Sequence, residues 1–335
     1  MDQPDSSSQI VASTRSTVMG WVQSWVHWWS QQSRLLKILP ISSVAAYWSA
    51  LWLVGGLRMD HVNIGLATLA LSYLGRPAWS FLIFIFPGIL TVTIYDSMRF
   101  YSDSLRGMIR IAEPYLFDKK FFGIPTAQGV LTPNEWLQLH THWSLDLISG
   151  FFYLLFVAIF VGISAYFYFW STRRGTRKCS AVKIKIESPR MMWGFLWLNL
   201  LGYTTYYWYP AAPPWYVAAH GLGPADLSVQ ASAAGCLRFD QLLGTHFFTE
   251  MYGRAADVFG AIPSLHVAYP LLAVFFAFRF GALRAFSVFF YAIMCFSAVY
   301  LNHHYMLDIL WGSAYAVLIY GLMNMDYAGL KRRVV

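Results

Sequence analysis

Three histidines and one aspartate fall in two short stretches of this 335-residue chain: His266 in "GAIPSLHVAYP" (260–270), and His303, His304 and Asp308 in "NHHYMLD" (302–308). His304 and Asp308 are four residues apart, which on a helix puts them on one face within hydrogen-bonding reach, while His303 is turned about 100° away. A carboxylate on one ring nitrogen fixes the tautomer and raises the basicity of the other, as a histidine nucleophile or base requires. His304 is therefore the expected reacting ring and Asp308 its orienter. Taken alone, His266 reads first as a satisfied interfacial or capping residue. Three histidines and an aspartate could also hold zinc, but no HExxH pair occurs and only His304 and Asp308 share an obvious face, so no metal is expected.

These residues sit in a chain that is 57% hydrophobic, 19% aromatic and only 12% charged, far from soluble composition. An all-α, polytopic membrane bundle is expected. The net charge of +8 comes with no basic patch interleaved with polar surface, so it reads as a topology signal and not as a nucleic-acid site. Cys179, Cys236 and Cys295 are far apart and suggest neither a disulfide framework nor a CxxC metal site. Residues 1–39 lack the order of a cleaved signal peptide, so the N-terminus is expected to be retained. After a polar start, Trp21, Trp25, Trp28 and Trp29 recur at helical spacing beside Arg34 and Lys37, which predicts a helix lying in the membrane interface, with a core stripe as the plainer alternative.

Apolar runs follow at about 40–57, 62–75, 78–96, 147–170, 191–209, 265–279, 285–301 and 305–324, about eight spans. The stretch 171–190 carries seven Lys/Arg and one Glu, which places it on the cytoplasmic side. Alternation then sends 97–146 and 210–263 outside and "RFGALR" (279–284) inside. Arg34, Lys37 and Arg76 also fall inside if 62–75 crosses, which is the reason to count that short run. On this topology His266 and "NHHYMLD" meet at one depth on the outer face. Ionisable groups gathered at membrane depth are costly, and that cost turns the bland reading of His266 into a functional one. The expected organisation is a polar tail and interfacial helix (1–39), a membrane domain (40–325) and a basic cytoplasmic tail (326–335).

"PSLH" followed by "HHYMLD" resembles the second and third signature motifs of the type 2 phosphatidic acid phosphatase superfamily. With "YPAAPPWYVAAHGL" (209–222), "LRFDQLLG" (237–244), "FGAIPSLH" (259–266) and "YLNHHYMLD" (300–308) in this order and spacing, the chain is similar to the fungal inositol phosphorylceramide synthases and their bacterial relatives. The likeness covers roughly 195–325 and extends upstream through "GIPTAQGVL" (123–131) and "SLDLISGFFY" (144–153).

The resemblance implies a six-helix phosphatase-like core with extra N-terminal spans. It implies that His304 attacks phosphorus to give a phosphohistidine, that Asp308 orients it, and that His266 protonates the departing lipid oxygen and then deprotonates the acceptor hydroxyl. No cofactor is implied. The superfamily's first motif is missing, since Leu69 stands where its lysine would precede Arg76-Pro77 on the inner side. Arg238 is the candidate to hold the phosphate instead, with Arg254 second, because guanidinium matches phosphate bidentately; either could equally be a solvated loop residue. Asp146 matches an aspartate of the synthases and is a candidate acceptor for headgroup hydroxyls, against the alternative of a helix-start carboxylate beside the dipole. Trp215 and Tyr216 are expected to pack a loop roof over the site.

The function expected on this likeness is transfer of phosphoinositol from phosphatidylinositol to ceramide, with lipid substrates and the bilayer as the partners and a bacterial inner membrane favoured over a Golgi membrane. Two rivals stand beside it. One is a lipid phosphate phosphatase in which water replaces the acceptor; the other is a non-catalytic scaffold or transporter, which would have no use for the His266, His304 and Asp308 set.

Overall fold

The computed structural model describes residues 19–100, 105–127, 129–255 and 257–331, with side chains to 325. The polar start, 1–13, lies outside these residues, as do the side chains of the basic tail 326–335. Each apolar run has become a helix: α2 (Arg34–Leu53), α3 (Met59–Tyr73), α4 (Arg76–Ser97), α7 (Trp143–Ala165), α9 (Pro189–Trp208), α13 (Leu265–Phe280), α14 (Arg284–Tyr300) and α15 (Met306–Lys331). Four stretches, Arg34–Leu53, Arg76–Phe100, Trp143–Arg174 and Met306–Met325, are long and apolar enough to cross a membrane, while α13 and α14 are shorter apolar helices. These fit an integral membrane protein.

The chain forms two compact units, 1–89 and 90–335. In the first, the tryptophan-bearing segment is helix α1 (19–30). Trp25 Nε1 donates to the Tyr73 carbonyl at 2.7 Å, and the Lys37 ammonium lies 4.9 Å from the Trp29 ring centre. Trp21 stays 55% exposed, so the stripe divides between packing and exposure.

In the second unit α13 is central, packed against α7, α9, α14 and α15. Shorter elements connect the long ones: α5 (Ala112–Phe121), a hairpin of β1 (Ile124–Thr126) and β2 (Gly129–Leu131), α6 (Pro133–Leu139), α8 (Ala181–Glu187), α10 (Pro214–His220), α11 (Leu237–Leu243) and α12 (Phe247–Tyr252). The start of α6 is held by a reciprocal cap, Glu135 N–H to Thr132 Oγ1 at 3.2 Å and Thr132 N–H to Glu135 Oε2 at 2.7 Å. Two glycines admit close approach. A side chain at Gly150 of α7 would collide with the Phe239 ring, and one at Gly312 of α15 with the Ser264 backbone. The second contact lets α15 lie directly against the "PSLH" segment.

Candidate active site

Helix α14 ends where Asn302 takes a left-handed conformation (φ 63°), one that asparagine tolerates better than most side chains. The chain reverses there, and the N–H groups of His303 and His304 both donate to the Ala298 carbonyl at 3.2 and 3.0 Å. Helix α15 starts only at Met306, so His304 stands in the turn before it, where a continuous helical face was expected. The pairing with Asp308 survives because Asp308, in the first turn, reaches back past the helix start. Its Oδ2 lies 3.2 Å from His304 Nδ1 and accepts the Tyr305 N–H at 2.9 Å. The Ser264 N–H donates to the Asp308 carbonyl at 3.0 Å, tying the two motifs together.

His266, second residue of α13, brings Nδ1 to 3.0 Å from His304 Nε2. The tautomers follow from the partners. His304 Nδ1 also lies 3.0 Å from the Ala261 carbonyl oxygen, which can only accept, so Nδ1 carries the hydrogen and the Nε2 lone pair faces His266. A ring nitrogen with a free lone pair and a second imidazole able to carry a proton thus share one gap, with a fully buried carboxylate behind the first, an arrangement suited to nucleophilic attack with proton transfer.

His303 points elsewhere. Its Nε2 donates to the Ala233 carbonyl at 3.1 Å, and its ring stacks between Tyr252 and Tyr153, with centroids at 4.6 and 5.3 Å. Tyr153 in turn stacks on His266 at 4.2 Å. Burial, reinforced by neighbouring His304, pushes the His303 imidazole down to about 3.

The predicted binding residues divide. Arg238 Nε donates to Asp146 Oδ1 at 2.6 Å, and Asp146 also accepts the Tyr300 hydroxyl at 2.9 Å, while Arg238 Nη1 donates to Gln138 at 3.0 Å. Asp146 and Arg238 are therefore partners of one another. Arg254 is exposed in the turn after α12, and among the described residues no hydrogen bond or ion pair joins its side chain to the histidines.

Several residues at the site carried no weight in the sequence. Ser264, within "PSLH", is buried with a hydroxyl that has no hydrogen-bond partner among the described residues. Tyr153 lay in plain view in "SGFFY" without a reason to choose it. Asp118 of α5 is fully buried and accepts the N–H groups of Met306 and Leu307 at 2.7 and 3.0 Å. Burial, opposed by those two bonds and aided by the nearby Asp308 carboxyl, raises Asp118 to about 7. Asn134 of α6 donates to the carbonyls of Val299 and His304. Trp215 and Tyr216 pack with Ile111, Ala212 and Phe259, and the Trp215 N–H donates to the Asn302 carbonyl, so the "PPWY" segment braces the turn that carries His303 and His304.

Residues 130–322 match the model of the PAP2 superfamily. The chain is 33% identical over 283 residues to a phosphoinositol dihydroceramide synthase of Bacteroides thetaiotaomicron, covering 83% of this chain and 87% of that protein. It is 34% identical over 134 residues to the inositol phosphorylceramide synthase of Candida albicans, and 34% identical over 125 residues to the synthase catalytic subunit of Saccharomyces cerevisiae. Those alignments cover 40% and 37% of this chain and only 28% and 31% of the fungal proteins. No solved structure matches the chain at a significant level.

Proposed function

Because the chain belongs to the PAP2 superfamily, we propose that it is a lipid phosphotransferase that moves phosphoinositol from phosphatidylinositol onto the hydroxyl of a ceramide-type acceptor. The observation that carries the chemistry is the 3.0 Å approach of His266 Nδ1 to the nitrogen of His304 opposite the one held at Asp308. The choice of headgroup and acceptor rests on the names of the relatives.

The donor phosphodiester enters between the two rings. The Nε2 lone pair of His304 attacks phosphorus, the bond to the glycerol oxygen breaks, and that oxygen takes a proton from His266 as imidazolium, which releases diacylglycerol. Asp308 stabilises the positive charge that develops on His304 through the Nδ1–H. His266, now neutral, removes the proton of the acceptor hydroxyl as its oxygen attacks the phosphohistidine, and the N–P bond breaks to return His304. Each ring is basic at the moment the other is acidic, so the two displacements require no metal or cofactor.

The Asp146–Arg238 pair supplies acceptors and donors for headgroup hydroxyls and phosphate, and exposed Arg254 adds positive charge at the approach. The site faces the non-cytoplasmic side of a bacterial inner membrane, in a domain of about eight spans over 40–325 built on a six-helix core.

The test uses purified protein with labelled phosphatidylinositol, with and without ceramide. Ceramide is expected to raise donor consumption and to yield a phosphodiester sphingolipid plus diacylglycerol with little free inositol phosphate. A product pool of inositol phosphate or inorganic phosphate, unchanged by ceramide, would reject the transferase and leave a phosphatase using the same histidines with water.

A further inference from the structure

His304 is placed by a turn, and what fixes that turn lies far away in sequence. Residues 301–305, between α14 and α15, form a segment with no helix or strand of its own. Such a segment is held by whatever satisfies its backbone groups. Three side chains of the 112–139 segment do so. Asp118 accepts from the N–H groups of Met306 and Leu307, Asn134 donates to the carbonyls of Val299 (3.1 Å) and His304 (3.0 Å), and Gln138 donates to the carbonyl of Tyr300 (2.9 Å).

We propose that Asp118 and Asn134 are positioning residues of the active site, which clamp the 299–307 turn from both ends and so hold His304 at His266 and Asp308. The inference rests on the function proposed above for its kinetic arm only.

The clamp's logic is specific. The first N–H groups of a helix have no partner within the helix, and Asp118 satisfies two of them on α15. Asp308 accepts the N–H of Tyr305, the residue just before the helix, with the same Oδ2 that faces His304. Two carboxylates thus share one helix start. Without Asp118 those N–H groups lose their acceptors beside Asp308, whose buried Oδ1 has no hydrogen-bond partner among the described residues, and turning to it would draw that carboxylate from His304. At the other end, Asn134 grips the carbonyl of His304 itself. Asn134 and Asp118 are 2% and 0% exposed, so neither bond competes with bulk water. A misplacement of about 1 Å at a reacting group can cost on the order of a hundredfold in rate.

The test takes the full-length protein with Asp118→Asn and, separately, Asn134→Ala. Asparagine keeps one acceptor and the volume of Asp118, so that variant is expected to fold. Donor-to-ceramide transfer, normalised to folded protein, is expected to lose about 10- to 100-fold in kcat with KM for both lipids within twofold. Hydrogen–deuterium exchange at the 305–308 amides is expected to speed up at least tenfold in Asp118→Asn while exchange in α13 stays as in the wild type. A purely structural role would lower the yield of folded protein and leave kcat per folded molecule intact. Unchanged kcat in both variants, a change confined to KM, or unchanged exchange at 305–308 in Asp118→Asn would each overturn the proposal. If the wild type transfers nothing from phosphatidylinositol to ceramide, the functional reading fails by itself, and the exchange measurement still decides the clamp.

Discussion

Replacing His303 by alanine separates a structural histidine from a chemical one. The imidazole donates to the Ala233 carbonyl and lies between the rings of Tyr153 and Tyr252, in a site where it is 5% exposed. The Ala233 carbonyl keeps the Cys236 N–H at 2.8 Å, so loss of the imidazole N–H costs about 0.5–1.5 kcal/mol. Each lost stacking contact costs about 0.5–1.5 kcal/mol. A loss of about 3 kcal/mol in stability is expected, on the order of 5 °C in apparent Tm for a chain of this size. Turnover per folded molecule should stay within about tenfold, because His303 touches neither His304 Nε2 nor Asp308.

The sign of its pH dependence follows from the direction of its shift. The ring titrates near 6.5 in an unfolded chain and near 3 in the fold, because burial disfavours the charged form. Below about pH 6.5 the unfolded state therefore binds a proton that the native state refuses. The contribution of His303 to stability is lost as pH falls from about 6.5 towards 3, by up to about 1.4 kcal/mol per pH unit. Glutamine offers an N–H to the same carbonyl and does not titrate, so His303→Gln should be nearer the wild type than His303→Ala at pH 7.5 and should show a shallower fall at pH 5.5. Thermal unfolding in detergent at the two pH values, with turnover measured on the same samples, checks both statements. An unchanged Tm together with a loss of turnover as deep as that of His304→Ala would refute the reasoning and make His303 part of the chemistry.

Asp308→Asn removes the charge behind His304 and should lower turnover by on the order of a hundredfold or more; retention of a tenth of the activity with labelled phosphatidylinositol would sink the role given to the carboxylate. Gly312→Ala puts a methyl group into the Ser264 backbone, so the α15 contact must open, with an expected cost of about 1–3 kcal/mol and at least a tenfold drop in kcat, read by thermal unfolding and steady-state assay. In a chain lacking its three cysteines, Cys placed at Ser228 should react with an impermeant reagent in intact cells and Cys placed at Ser180 should not; equal labelling would reverse the argument from the basic 171–190 stretch.

The sequence by itself determined where the helices form, because an apolar run in lipid must satisfy its backbone hydrogen bonds within the segment, and all eight runs are helical. It also determined the His304–Asp308 pair, since four residues of spacing bring two side chains together across a single turn of chain. The start of α15 was not legible. Periodicity ran the helix through His304, whereas the left-handed Asn302 and the bonds of His303 and His304 to Ala298 end one helix there and delay the next to Met306.

Only the tertiary structure decided which way Arg238 and Asp146 turn. Each residue type suits a phosphate or a polyol in isolation, and their mutual bond depends on α7 and α11 being packed together. Asp118 and Asn134 were hidden for a deeper reason. They bind backbone groups, and because every residue but proline offers the same N–H and every residue the same carbonyl, a side chain that holds the backbone leaves no complementary residue type to be read at the other end. The meeting of His266 with His304 across 38 residues belongs to the same class: each histidine is visible in its motif, but the 3.0 Å between them is set by how α13 and α15 pack around Gly312.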